Sequence, residues 1–213
     1  MRRIETVADI AEGLATLVEI EPQFARLVAM SGEIPLRRAD PGFAGLCRII
    51  ISQQVSVASA RAIWDRVSAR FPQLAAPDIL AASEAELRSC GLSGPKIRTL
   101  RAIATTTNHG HLDFARLDSA APEDVRAMMT AVSGIGPWTA DIYLMFHLGH
   151  ADVFAPGDLA LQEAARLGFG LATRPGAREM ACLAEVWSPW RAVAARLLWA
   201  YYAAVKSREG MTI

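Results

Sequence analysis

The chain has 213 residues, enough for one large domain or two small ones with a real interior. It is 52% hydrophobic and 21% charged, a globular balance that excludes a disordered or fibrous polymer. Its 22 Lys and Arg match 22 Asp and Glu, which excludes a uniformly basic nucleic-acid-binding surface and an acidic tail.

The N-terminal MRRIETVADIAEG carries Glu5, Asp9 and Glu12 where a secretory signal needs an apolar stretch. Val57, Ala60, Ile63, Trp64 and Val67 recur at helical spacing. Ser83 with Glu86 forms a capping-box pair at the start of another helix. Cys90-Gly91-Leu92-Ser93-Gly94-Pro95-Lys96 is a glycine turn between two helical patterns. Pro122-Glu123-Asp124 puts a proline and two acids into a first turn, and Val125, Met128, Met129 and Val132 continue it as an apolar face. A second glycine turn follows, Val132-Ser133-Gly134-Ile135-Gly136-Pro137-Trp138, so the two turns form a weak internal repeat. No stretch alternates with period two for long enough to build a sheet, and Asp152-Val153-Phe154 is at most a short extended connector. The expectation is an all-α protein of roughly nine to eleven helices. The most apolar window, Ala192 to Val205, is short and carries Arg196, well below the ~18 apolar residues of a spanning helix. Cys47, Cys90 and Cys182 are too few and too scattered for a disulfide framework or a four-thiolate cluster, and the chain reads as cytoplasmic. Of the basic residues only Lys96 and Lys206 are lysines; arginine suits bidentate phosphate contacts.

The tightest motif is Ser133 to Asp141, where two glycines flank Ile135 immediately before a helix start. Glycine permits positive φ and close backbone approach, and the first N–H groups of the following helix point outward. That is an anion site built from backbone, able to hold a DNA phosphate without Lys or Arg. The other reading is a tight interhelical turn whose Ile135 plugs the core.

Four motifs in chain order resemble one family. Val132–Ala140 is similar to the hairpin of the helix-hairpin-helix DNA glycosylase superfamily, and Ala151–Leu159 is similar to its Gly/Pro-rich segment ending in a catalytic aspartate. Ile49–Val57 and Trp187–Arg191 resemble the DNA-3-methyladenine glycosylase II branch. The resemblance implies a monofunctional hydrolase of base excision repair. Such an enzyme removes alkylated purines such as 3-methyladenine and 7-methylguanine from duplex DNA after base flipping, and works as a monomer with no cofactor and no membrane. It implies a central helical subdomain over residues 36–145 and a second one combining 1–35 with 146–213, with a DNA and base-binding cleft between them.

Residue by residue, the resemblance makes Asp158 the catalytic carboxylate, although an Asp after Pro-Gly is also a good N-cap for a helix Leu159 to Leu167. Trp138 stands where strand-cutting relatives carry a nucleophilic lysine, so no Schiff base is expected. Trp199 and Trp138 are candidate walls of the base pocket, where an aromatic face favours an electron-poor cationic base; ordinary core packing is the alternative for each. Ile142 replaces a tyrosine found in relatives. Gln54 falls at the position of the side chain that fills the gap left by the flipped nucleotide. Gln53 holds that loop or touches the opposite base, unless the pair is only a solvated turn. Ser133, Gly134, Ile135, Gly136 and Thr139 form the DNA-binding hairpin, and relatives hold a monovalent cation on the carbonyls matching those of Thr130, Val132 and Ile135. His147 and His150 have metal-ligand spacing but no third ligand cluster. Met128, Met129 and Met145 read as core, and Arg191 reaches a phosphate or pairs locally. The rival readings are a non-catalytic helix-hairpin-helix DNA-binding protein and a glycosylase for another damaged base.

Charge is unevenly spread: residues 46–112 hold eight basic and four acidic groups, 164–213 seven and three, and 113–163, with the hairpin, two and eight. Backbone N–H groups need no basic neighbours to hold phosphate, so a modest affinity with a shallow salt dependence is expected.

Overall fold

The computed structural model describes residues 2–208 and Gly210, which are helical apart from turns, connectors and one antiparallel bridge, Arg3 with His150. No helix among them is long and apolar enough to cross a membrane. Contacts divide the chain into a terminal unit, the segment ending at Arg38 plus the chain from Leu144 onward, and a central unit, Ala39–Tyr143.

The chain begins with α1 (Val7–Ile20) and α2 (Gln23–Ser31), the first opened by a capping box of Thr6 and Asp9. The central unit holds α3 (Phe43–Ser52), α4 (Val57–Arg70), α5 (Ala76–Ala81), α6 (Glu84–Ser89), α7 (Gly94–Asn108), α8 (Phe114–Ser119), α9 (Pro122–Thr130) and most of α10 (Pro137–Phe146). Its axis is α7, whose Ile97, Leu100, Ile103 and Ala104 are buried and which packs against α3, α5 and α6. The Ser83 and Glu86 capping box opens α6, and Pro122 and Pro137 open α9 and α10, where a missing N–H costs no helical bond.

The rest of the terminal unit is α11 (Leu159–Phe169), α12 (Ala177–Glu185) and α13 (Arg191–Arg208). Seven consecutive residues of α13, Ala192 to Leu198, are buried, so the first half of this helix is enclosed on all sides, in a unit where it packs on α1, α2 and α11. Close packing there depends on small residues: a Cβ on Gly13 of α1 would stand 2.7 Å from Val193 and 2.8 Å from the Trp190 ring. Phe24, Phe154, Phe169 and Trp187 form an aromatic cluster with centroids 5.4–5.8 Å apart.

Thirteen helices are present among the described residues, more than periodicity predicts. The surplus comes from α5 and α8, each six residues long, too short to display a repeat of 3.6 and started by local caps instead. Val57 corrects a second expectation. It fits the apolar spacing of α4, yet it is 83% exposed, because it is the first residue of the helix and precedes the turn that reaches the core.

Candidate functional site

Asp158 ends a loop that glycine and proline keep out of helix, and its backbone (φ −75°, ψ 118°) is that of an N-cap. Its Oδ1 accepts the N–H of Leu161 at 3.0 Å and the indole Nε1–H of Trp199 at 3.2 Å. Oδ2 receives neither of these. Gln162, one turn into α11, donates its side-chain amide to the Pro156 carbonyl at 2.9 Å and fastens the loop from beneath. The carboxylate is half-buried, held by a helix N-terminus that favours negative charge and by a fixed indole dipole. Both predicted roles of Asp158, cap and oriented carboxylate, are compatible with one geometry.

Two of the four sequence motifs clasp one another behind this loop. Arg191 makes a two-point pair with Asp152, Nε to Oδ1 at 2.6 Å and Nη2 to Oδ2 at 3.0 Å, and Ser188 Oγ donates to Asp152 Oδ2 at 2.9 Å. Of the two roles open to Arg191, local pairing is the one observed. Burial tends to raise the Asp152 pKa, but the Arg191 and Ser188 hydrogen bonds outweigh it and hold the carboxyl below its ordinary value. Trp187 and Trp190 of the same motif are buried core.

Trp199 is half-buried and lies against Phe146, with centroids 5.6 Å apart and planes 35° apart. Behind Phe146 stands Arg196, its guanidinium carbon 4.6 Å from the ring centroid. Arg196 is 2% exposed and donates to three carbonyls, Leu36 at 3.2 Å, Ala192 at 2.9 Å and Met145 at 2.9 Å. Burial, with Arg38 and Arg37 nearby, pulls its pKa down to about 9, so it remains a cation at neutral pH. The sequence reading missed Phe146 and the part Arg196 plays. A lone charge inside the most apolar window was the available signal for Arg196; Phe146 carried none.

In the central unit the hairpin runs from α9 to α10. Its turn is closed by Ile135 N–H on the Val132 carbonyl at 3.0 Å, and Ile135 is 5% exposed, so its side chain plugs the core while its backbone stays in the turn. Gly134 has φ 89°, and a Cβ there would run into Thr99 of α7; this position requires glycine twice over. Gly136 borders open space. Ser133 and Gly134 are exposed, and the first N–H groups of α10 have no acceptor within the helix. Arg126 fixes α9 to α10 through Asp141, Nε to Oδ1 at 2.6 Å. Burial raises the Asp141 pKa against the pull of Arg126. The carbonyls of Thr130, Val132 and Ile135 suit a monovalent cation: Thr130 ends a helix, where carbonyls lack intrahelical partners, and the Val132 oxygen spends one lone pair on the turn. Such an ion would add positive charge beside the outward-pointing N–H groups of α10.

Thr139 differs from its expected role at the surface of the hairpin. It is 3% exposed and its Oγ1 accepts the Gln53 side-chain amide at 2.9 Å, so the side chain faces the protein. Gln54 follows in the left-handed region at φ 56°, exposed, a conformation that costs a residue with a Cβ roughly 1–2 kcal/mol. Lys96 reaches the same loop from the first glycine turn, donating to the Ile51 carbonyl at 2.6 Å. Trp138 is half-buried at the second position of α10, Ile142 is half-buried, and Tyr143 is buried with its hydroxyl accepting the Gly42 N–H at 2.7 Å. Met129 and Met145 are core, and Met128 is half-buried. His147 and His150 are buried in the terminal unit; no group of three or more His, Cys, Asp or Glu among the described residues is arranged to hold a metal.

A profile of the HhH-GPD superfamily base excision DNA repair proteins matches residues 47–189, well over half of the chain. The chain belongs to this superfamily. Among HhH-GPD relatives, DNA-3-methyladenine glycosylase 1 of Schizosaccharomyces pombe is 27% identical over 203 residues, covering 92% of this chain and 89% of that protein. The solved 3-methyladenine DNA glycosylase of that yeast, in complex with abasic DNA, superposes with a TM-score of 0.81 at 27% identity, over 88% of this chain and 95% of that one. A DNA-3-methyladenine glycosidase from Bacillus halodurans superposes with a TM-score of 0.79 at 29% identity, over 99% and 96% of the two chains. The HhH-GPD match contains both glycine turns, the Gln53–Gln54 loop and Asp158.

Proposed function

We propose that this protein is a monofunctional DNA glycosylase of base excision repair that hydrolyses the N-glycosidic bond of alkylated purines in duplex DNA. The observation that carries the reading is the Asp158 carboxylate, fixed on one oxygen by the Leu161 N–H and by the Trp199 indole, which itself lies against Phe146. A fixed anion beside aromatic faces is the equipment for a reaction that develops positive charge on a sugar next to a stacked base.

Hydrolysis breaks the bond between C1′ and the base nitrogen, with the bonding pair leaving on the base. An N3- or N7-alkylated purine is already cationic and departs neutral, so no strong general acid is required. Water forms the new bond to C1′ and its proton passes to Asp158 or to solvent, leaving an abasic site. In the same reading the hairpin N–H groups hold backbone phosphate, Gln54 fills the gap left by the extruded nucleotide, and Trp199 and Phe146 stack on the base. Trp138 cannot form a Schiff base, so strand cleavage does not follow base release. We assign the working form as a monomer in the cytoplasm, in keeping with three free cysteines. Incubating methylated duplex DNA with the protein and separating the released bases tests the reading: free 3-methyladenine is the expected product, and tight binding with no free base would make the chain a DNA-binding module instead.

A further inference from the structure

The first glycine turn, Cys90–Lys96, has no part in the function proposed above, although it repeats the hairpin's pattern. Gly91 sits at φ 92°, and the space a Cβ would need is taken by Arg66, whose Nε donates to the Cys90 carbonyl at 2.9 Å. Leu92 and Ile97 anchor the turn in the core. The result is that α7 begins with Lys96 in its first turn, aimed at the end of α3, where its ammonium donates to the Ile51 carbonyl at 2.6 Å. That oxygen belongs to the last turn of α3, which lacks intrahelical partners and carries the negative end of the helix dipole. Partial burial lowers the Lys96 pKa by desolvating the ammonium.

We propose that Lys96 is a positioning residue for Gln54: the first glycine turn delivers Lys96 to the gap-filling loop and, with the Gln53–Thr139 bond, clamps that loop for base extrusion. This rests on the reading of Gln54 as the residue that fills the gap. Ile51 is held from α7 and Gln53 from α10, so each glycine turn leads into a helix that braces the loop just before Gln54. A left-handed residue other than glycine persists where its surroundings over-determine it, and such strain collects at functional positions. A side chain pressed into a base stack pushes back on its own backbone, so a loop fixed beforehand loses less of the binding energy to ordering.

The test is a double-mutant cycle on duplex DNA carrying 7-methylguanine, read as the single-turnover rate of base release. Lys96→Met is expected to slow release about tenfold, the size of one hydrogen bond from a charged donor, and Lys96→Arg to recover most of it. In a Gln54→Ala background Lys96→Met should cost nothing further. The slope of affinity against salt should not change, because the ammonium is spent on a carbonyl. Thr139→Val cuts the other brace and should show the same dependence on Gln54. Equal losses with and without Gln54 would overturn the proposal, as would a salt slope reduced by about one, the mark of a phosphate contact. A wild-type rate unchanged by either substitution would also overturn it. Wild-type protein that releases no base would instead overturn the glycosylase reading.

Discussion

Replacing Asp158 by Asn separates the two roles its geometry allows. Asn keeps an Oδ1 able to accept both the Leu161 N–H and the Trp199 indole N–H, and Asn is as good an N-cap as Asp. What disappears is the charge. The loss of a carboxylate at a helix N-terminus is worth about 0.3–1 kcal/mol, which in a chain of this length lowers the melting temperature by no more than about 4 °C. The chemical step loses more: removing one preorganised electrostatic group costs about 3–4 kcal/mol, or a hundred- to a thousandfold in rate. Asp158→Ala would remove the cap as well and leave the indole N–H without its acceptor, adding about 2 kcal/mol of instability. Calorimetry on the three proteins, beside single-turnover release of 7-methylguanine, gives both axes. The expected result is Asp158→Asn folded and inactive, with Asp158→Ala equally inactive and less stable. An Asp158→Asn protein retaining more than about a tenth of the wild-type rate would refute the catalytic assignment and leave Asp158 as a cap.

Gly134→Ala should cost about 2 kcal/mol in a denaturant titration, from the left-handed φ and the clash with Thr99, and should weaken DNA binding; an alanine variant as stable as wild type would contradict this account of the hairpin. Asp152 is held below its ordinary value of 3.8 in the folded state, so its contribution is present above that pH and fades as pH falls through the lowered folded value. Asp152→Asn should therefore melt below wild type at pH 7, by at most about 4 °C for a half-solvated pair, and the difference should close in strong acid. Borohydride added during turnover should trap no protein–DNA adduct, since Trp138 occupies the hairpin position that a Schiff-base lysine would need.

What was legible in the sequence was what depends on neighbours along the chain. Gly134, Gly136 and Pro137 announce a positive-φ turn and a helix start by their own chemistry, and Asp158 after Pro156-Gly157 announces a cap. The carboxylate's second partner was not legible as a bond, because Trp199 lies 41 residues away and only tertiary packing brings its indole to Asp158. Arg196 and Phe146 escaped for the same reason: the Leu36 and Met145 carbonyls and the Phe146 ring face that help house the buried cation are distant from it in sequence. Thr139 was assigned to DNA through the hairpin motif it belongs to, yet the helix turns it inward to meet Gln53. Val57 failed in the opposite direction, since spacing alone does not say where along a helix burial begins.

The central claim, hydrolysis of alkylated purines without strand cleavage, is tested most directly on an end-labelled methylated duplex by counting free base and abasic sites from one incubation. The account predicts one abasic site for each 3-methyladenine or 7-methylguanine released, in strands that stay intact until alkali is added. Strands cut without alkali, or DNA bound for hours with no base released, would contradict it.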